Sequence, residues 1–290
     1  MMKKFQIKAK ILKNARVQGQ FFKIQLEALG IAKEAKTGQF INIKVSDNGG
    51  PLLRRPFSIH SISGNTVTIL YAMVGKGTQI LSQRKAGEYL DIIGPLGSGF
   101  RVPLACARGR QGSGFSVQIL VAGGMGVAPL LFLAEKLTEI KNQKSTLRLR
   151  SGLMVSAVEP SKIKKIVLIG AKTQSQILCA GEFQELGCEV EIATDDGSRG
   201  FKGKVTELLK SILRRTKDQG RRTIYACGPR PMLQEISRLS QEYKIPAQVS
   251  LDEHLACGIG ACLGCAIKTR QGYERVCKEG PVFNAEEIIW

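Results

Sequence analysis

At 290 residues, with 43% hydrophobic and 23% charged side chains, the chain can build two compact domains and an appendage, and it is too apolar to be disordered. Its formal net charge of +19 suits an anionic partner. The basic residues nevertheless run along the whole length with no aromatic-interleaved patch, so neither nucleic acid nor a membrane surface is expected to bind.

Of the eight cysteines, Cys106, Cys179, Cys188 and Cys227 are scattered without ligand spacing, which fits a reducing cytoplasmic location. The opening MMKKFQIKAKIL begins like an export signal, but Lys8 and Lys10 interrupt any apolar stretch. The uncharged run from Gly112 to Ala134 holds five glycines and a proline. It reads as strand, turn and helix, not as a membrane span.

From Phe5 to about Pro103, short apolar runs alternate with turn signals. Candidate strands are Phe5–Leu12, Phe21–Glu27, Gln39–Val45, Pro56–Ile62, Thr66–Met73 and Leu90–Ile93, which predicts a small antiparallel barrel or sandwich over residues 1–104. Within it lies Leu52-Leu-Arg-Arg55-Pro56-Phe57-Ser58-Ile-His60. Arginine and serine three residues apart on a strand are separated by ~10 Å, roughly the distance from the pyrophosphate of a flavin dinucleotide to its ring. An arginine forks onto phosphate while a small hydroxyl approaches the ring; an edge strand with two exposed arginines would look the same. Leu70-Tyr71-Ala72 ends a strand on which Tyr71 is placed to lie against such a ring. Gly77-Thr78 opens a short helix with Thr78 as its N-cap, where free amides receive a phosphate. Gly94-Pro-Leu-Gly97 closes this unit, and Cys106–Ser116 reads as a linker loop.

Residues 105–250 alternate strand and helix. Val117–Ala122 is a fully apolar strand that runs into Gly123-Gly124-Met-Gly126-Val-Ala-Pro129, followed by a helix to about Lys141. Strand, glycine turn and helix form the phosphate-cradling half of a dinucleotide fold, although Pro129 replaces the last glycine of the usual fingerprint. Asn142–Lys165 reads as an insertion loop (142–165), with a hairpin around Thr146–Val155. Further strands are expected at Ile166–Ile169, Val190–Thr194 and Thr223–Cys227, with helices at Glu182–Glu185, Val205–Arg214 and up to Tyr243. This alternation implies a doubly wound parallel sheet. Cys227-Gly228-Pro229 follows the third strand, where ligands bind and where a cysteine would face a nicotinamide; a buried small residue is the competing reading. On the loop facing an adenosine ribose, Asp195 and Asp196 favour an unphosphorylated sugar, whereas Ser198 and Arg199 suit a 2′-phosphate. His60 and His254 read as satisfied or solvated structural residues.

Residues 251–290 contain Cys257-Gly-Ile-Gly-Ala-Cys262-Leu-Gly-Cys265, then Cys277 after eleven more residues. C-x4-C-x2-C…C is the spacing of a plant-type 2Fe-2S cluster. Gly258, Gly260 and Gly264 let the backbone curl around such a core. Structural zinc prefers paired C-x2-C knuckles, and only Cys262 and Cys265 form one; disulfides are the third reading.

With these pieces placed, the chain resembles the ferredoxin–NADP reductase superfamily and, more narrowly, the electron-transfer subunits of heteromeric NAD-linked dihydroorotate dehydrogenases. The resemblance spans nearly the whole length. It rests on the Arg55–Ser58, Gly75–Thr78, Gly94–Gly97, Gly123–Pro129, Cys227–Leu233 and Cys257–Cys265 stretches, completed by Val276–Phe283.

The resemblance implies an α/β plus all-β protein: an N-terminal β-barrel for FAD, a doubly wound domain for NAD and a small cluster domain. It also implies FAD contacts from Arg55, Pro56, Phe57, Ser58, Leu70, Tyr71, Ala72, Gly77 and Thr78, and cluster ligation by Cys257, Cys262, Cys265 and Cys277. Ala72 stands where the family commonly carries an arginine. The implied partner is an FMN-containing catalytic subunit in a heterotetramer of two copies each. Electrons would run from that flavin through cluster and FAD to NAD⁺, within pyrimidine biosynthesis. Related subunits serving sulfide or ferredoxin:NADP chemistry are a second reading, and a zinc-stabilised binding module is a third.

Overall fold

The computed structural model describes residues 3–46, 50–102, 115–142, 162–216 and 221–290. The first unit is a closed antiparallel barrel of β1 (Phe5–Gln18), β2 (Phe21–Glu27), β3 (Phe40–Lys44), β4 (Arg55–Ser63), β5 (Thr66–Ala72) and β6 (Tyr89–Leu96). They follow one another round the barrel as β1-β2-β5-β4-β3-β6. All six expected strands are present, and β1 runs on to Gln18. Two helices, α1 (Leu29–Glu34) and α2 (Lys76–Gln83), fill connections between strands. Successive side chains on a strand face opposite ways. Val67, Ile69 and Tyr71 of β5 therefore point into the barrel core, whereas Leu70 points out and joins the core of the second unit.

The second unit is a seven-stranded sheet in the order β10-β9-β8-β7-β11-β12-β15. Its strands are β7 (Phe115–Gly123), β8 (Lys162–Ala171), β9 (Glu189–Thr194), β10 (Phe201–Lys202), β11 (Arg221–Cys227), β12 (Ala247–Ser250) and β15 (Val282–Asn284). All neighbours are parallel except β12 and β15. Helices α3 (Val127–Asn142), α4 (Ala180–Glu185), α5 (Val205–Arg215) and α6 (Arg230–Glu242) complete it. The apolar run of β7 is explained by burial on both faces. Ile119 and Val121 pack with α5 and α6, while Leu120 and Ala122 pack with α3 and α4. The expected loop to Lys165 ends earlier, because β8 starts at Lys162; the hairpin expected around Thr146–Val155 lies outside the described residues, as does most of the Cys106–Ser116 linker. Among the described residues, no helix is long and apolar enough to cross a membrane.

The C-terminal stretch forms a hairpin of β13 (Ala266–Thr269) and β14 (Gly272–Arg275) and then returns through β15 to the edge of the sheet. Cys265, Ile267, Val276, Cys277 and Phe283 share one apolar core with the sheet. It also touches the barrel: Asn42 Nδ2 of β3 donates to Cys257 O at 3.2 Å, and Ser98 forms a bridge with Pro281.

Helix α3 packs against the barrel, with Phe132 in the barrel core. One turn on, burial and then the neighbouring Glu139 push the Glu135 carboxyl up to about 7, against the opposing charges of Lys136 and Lys23. The folded chain thus prefers this group protonated, while the unfolded chain ionises it from its ordinary 4.5 upward. Stability is lost as pH rises across that window. Glu135→Gln is therefore expected to stabilise the protein by about 1–2 kcal/mol at pH 8 and not at pH 4, as read from denaturant midpoints.

Candidate functional site

The sheet's strand order reverses between β7 and β11, so the loops after these two strands diverge and leave a crevice at their carboxyl ends. A cavity of about 600 Å³ opens there, lined by Gly123, Gly124, Asp195, Lys204, Pro229 and Met232 among others. The two expected dinucleotide stretches are brought together by glycine. A Cβ on Gly126 would lie 1.8 Å from Cys227 O, one on Gly123 would lie 2.7 Å from Met232 Sδ, and one on Gly228 would lie 3.0 Å from Gly123 Cα. Gly124, at φ +54° and facing open space, is free to admit a ligand against bare backbone. Burial pushes the Cys227 thiol up to about 12, against a hydrogen bond with Ser250. The thiol is therefore neutral, and of Cys227, Gly228 and Pro229 it is Pro229 that lines the cavity.

The two aspartates after β9 are placed differently. Asp195 lines the cavity together with Lys172 and Lys204. Asp196 is turned to its own loop, accepting from Ser198 N at 2.9 Å and Ser198 Oγ at 2.6 Å; these bonds lower its pKa.

On the barrel, Arg55 and the α2 N-terminus converge. A Cβ on Gly77 would lie 2.9 Å from Arg55 Nε, and Arg55 Nη1 donates to Leu53 O at 2.7 Å. A guanidinium laid over a side-chain-free helix start, whose first-turn amides have no intrahelical acceptor, fits a pyrophosphate. Thr78 is not the N-cap. Gly75 is, and Thr78 reaches back from the third helical position so that its Oγ1 accepts from Val74 N (2.9 Å) and Gly75 N (3.1 Å). Pro56, Phe57, Ser58 and Ala72 are half-buried. Tyr71 sits differently from the sequence expectation. Its ring is 1% exposed, stacked on Phe22 at 5.6 Å and edge-on to Phe57 at 5.7 Å, with its hydroxyl donating to Asn14 at 3.0 Å. The alternation of β5 puts it inside the barrel, so only its backbone can meet a ligand, and the aromatic ring nearer the surface is that of Phe57.

Around the four motif cysteines, backbone amides aim at sulfur: Ala261 N and Cys262 N lie 3.3 and 3.4 Å from Cys257 Sγ, and Cys277 N lies 3.5 Å from Cys265 Sγ. Gly258 (φ +68°) has no room for a side chain, since a Cβ would meet Asn42 Nδ2 at 2.2 Å. Cys257 interacts with Cys262, and Cys277 with Cys265 and, through charge, with Cys257. Against the opposing effect of desolvation, backbone amides and the Cys262 thiol lower Cys257 to about 6. Burial first, then Cys265, raises Cys277 to about 12. Among the described residues, no three of these four sulfurs lie within 4.8 Å of one another. A single tetrahedral zinc needs all four within ~3.8 Å, from its Zn–S length of about 2.3 Å. The C-x4-C-x2-C…C spacing fits a dinuclear iron–sulfur centre. Arg275 ties the two halves of this site together, donating to Gly260 O (2.8 Å) and pairing with Glu279 (2.6 Å).

His60 is buried at the barrel–helix junction; burial, then the charge of Lys23, lower it to about 4. His254 shows no site role. The roles of Asn42 and Arg275 were not visible in the sequence, because neither belongs to a motif and both act across long separations or through backbone atoms.

Comparison with known proteins gives concordant results. Residues 252–289 match the iron-sulfur cluster binding domain of dihydroorotate dehydrogenase B, and residues 120–238 match an oxidoreductase NAD-binding domain. The electron transfer subunit of dihydroorotate dehydrogenase B (NAD(+)) from Desulforamulus reducens is 40% identical over 97% of both chains. The subunit of the same name from Caldanaerobacter subterraneus is 36% identical, covering 99% of this chain and 100% of that one. Among solved structures, a chain of NADH-dependent reduced ferredoxin-NADP oxidoreductase superposes with a TM-score of 0.77 at 25% identity, covering 97% of this chain and 90% of that one. A Neisseria gonorrhoeae ferredoxin NADP+ reductase with bound FAD and NADP gives 0.61 at 14% identity, covering 82% and 91%.

Gly126→Ala tests the contact between the two loops. The added methyl has to displace the Cys227 carbonyl, so the variant is expected to lose about 2–4 kcal/mol of stability. On protein that remains folded, NADH-driven bleaching of the flavin should slow by about tenfold or more, measured by stopped-flow absorbance.

Proposed function

For a chain that belongs to the family of electron transfer subunits of NAD-linked dihydroorotate dehydrogenase B, we infer a relay between an FMN-containing catalytic subunit and NAD⁺, in a heterotetramer of two copies each. The chain is an NAD-linked oxidoreductase subunit of ferredoxin reductase-like fold that uses FAD, a 2Fe-2S cluster and NAD. When bound, flavin exchanges a hydride with nicotinamide and single electrons with an iron–sulfur cluster, which makes it the necessary middle carrier.

The residues divide this work among three units, residues 1–104, 105–250 and 251–290. Arg55, with the amides of Gly77 and Thr78, holds the FAD pyrophosphate, while Pro56, Phe57 and Ser58 border its ring system. Leu70, Tyr71 and Ala72 contribute backbone. Gly123, Gly124 and Gly126 let the NAD pyrophosphate approach the start of α3, and Cys227, Gly228 and Pro229 border the nicotinamide end. Asp195 lines the cavity beside Lys172 and Lys204, where its carboxylate would accept a hydrogen bond from a ribose hydroxyl, a contact that suits NAD. Cys257, Cys262, Cys265 and Cys277 ligate the cluster. No side chain here needs to take or give a substrate proton. The pyrimidine chemistry belongs to the partner.

The observation that carries this reading is the set of backbone amides aimed at the Cys257 and Cys265 sulfurs, beside a loop that is exposed at Cys262 and braced against the barrel by Asn42. Ile259 (47% exposed) and Leu263 (62% exposed) stand on the same loop. Apolar side chains left in water beside a redox centre support docking of the catalytic subunit over this surface.

Mixing the cofactor-replete chain with the FMN subunit is expected to give dihydroorotate-dependent NAD⁺ reduction; none from a fully loaded complex would defeat the assignment. Cys262→Ser should abolish that coupled reaction while NADH still bleaches the flavin, and loss of both half-reactions would make the cluster structural instead. Leu263→Asp should weaken subunit association by roughly tenfold or more in sedimentation or calorimetry, with its iron content unchanged.

A further inference from the structure

His60 has one ring nitrogen accounted for and one not. Its Nδ1 lies 3.3 Å from Ala128 O at the start of α3. A carbonyl only accepts, so in the neutral ring Nδ1 carries the hydrogen and Nε2 keeps its lone pair. Nε2 is buried without a partner, in a side chain only 1% exposed. A buried acceptor left unmatched is unfavourable. Two further donor atoms lie close by: His60, Cys179 and Glu182 bring an imidazole nitrogen, a thiol sulfur and a carboxylate oxygen all within 4.8 Å of one another. The imidazole comes from β4 of the barrel and the other two from the start of α4 in the second unit. None belongs to the flavin, nicotinamide or cluster sites.

We propose that His60 Nε2, Cys179 Sγ and a Glu182 carboxylate oxygen bind one zinc ion, which ties the barrel to the α/β unit. A mixed nitrogen, sulfur and oxygen set suits zinc, whereas the thiolate argues against magnesium or calcium. Bond lengths of about 2.0–2.3 Å place tetrahedral ligands ~3.3–3.8 Å apart. The three atoms therefore need to close by at most about 1.5 Å, within reach of side-chain rotation at Cys179 and Glu182. Three protein ligands leave the fourth position to water, and the thiol gives up its proton to solvent on binding.

Outer contacts that orient such ligands are already in place. Ala128 O fixes the His60 tautomer, and Lys23 Nζ holds one Glu182 oxygen at 2.9 Å. The Cys179 thiol hydrogen-bonds to Glu182, a contact that the metal replaces when the thiol loses its proton. Lys23 also sets the affinity. Its ammonium orients the carboxylate but repels the incoming dication, so the site is a weaker one than the ligand set alone would make. Removing that charge should tighten it.

The test uses protein replete in flavin and cluster, dialysed against a buffer of micromolar free Zn²⁺, with zinc and iron counted by mass spectrometry and the zinc K-edge absorption recorded. One zinc per chain is expected beyond the cluster iron, with a single sulfur in its shell and a raised melting temperature. Cys179→Ala and His60→Ala should each weaken uptake by roughly 100-fold, and Lys23→Met should strengthen it by about tenfold. Cys179 is half-buried, so its alanine variant remains a usable test if His60→Ala does not fold. No zinc retained by the wild-type holoprotein would overturn the proposal. So would a shell of four sulfurs, which would put the metal in place of iron, or uptake unchanged in Cys179→Ala.

Discussion

The contact on which the rest of the molecule depends is made by backbone alone. Where the strand order reverses, the turn after β7 lies against the turn after β11 so closely that the Cys227 carbonyl occupies the space of a Gly126 side chain. Any methyl there pushes the two turns apart. Gly123 and Gly228 extend the same contact on either side of Met232. Bare backbone on both walls gives a crevice narrow enough for amides to reach a dinucleotide, and the parallel sheet holds those walls in register from below. The glycines that build these walls are those proposed to admit the dinucleotide, so a side chain added here would part the turns and fill the crevice together.

The cluster-bearing stretch solves a different problem. Some forty residues cannot bury enough apolar surface to stand alone. This one gives β15 to the neighbouring sheet and puts Cys265, Cys277 and Phe283 into that sheet's core. Its opposite side leans on the barrel through Asn42 and Ser98. The loan of stability has a mechanical consequence. The sulfur-bearing loop is fixed to both other units at once, so its distance from the barrel groove and from the crevice is set by strand pairing and not by a linker.

Much of this was legible in the sequence because it is local. Cysteine spacing, glycine turns, the apolar run of β7 and the six barrel strands all report on neighbours within a few residues, and the structure keeps them. What failed depended on the direction of a side chain or on a distant partner. Tyr71 was expected against a ligand, but strand alternation sends its ring inward while Leu70 takes the outer face. Thr78 was expected to cap a helix that Gly75 caps. β15 is three residues long and has no pattern of its own; only the edge of β12 makes it a strand. His60 was read as satisfied, and nothing local could reveal that one of its nitrogens would be buried without a partner.

Leu263 shows the same tension between local rule and global use. It adopts φ +61°, a conformation that costs a non-glycine residue roughly 1–2 kcal/mol, in a loop where Gly258 and Gly260 take positive φ freely. A glycine would relieve the strain and remove an exposed apolar side chain in one step. Keeping leucine there is unfavourable twice over in the isolated chain, through strain and through exposure. Covering the loop with a second protein would offset the exposure, because burying the side chain is worth about 1.5–3 kcal/mol. Ile259, 47% exposed on the same loop, adds to the apolar surface that such a cover would bury.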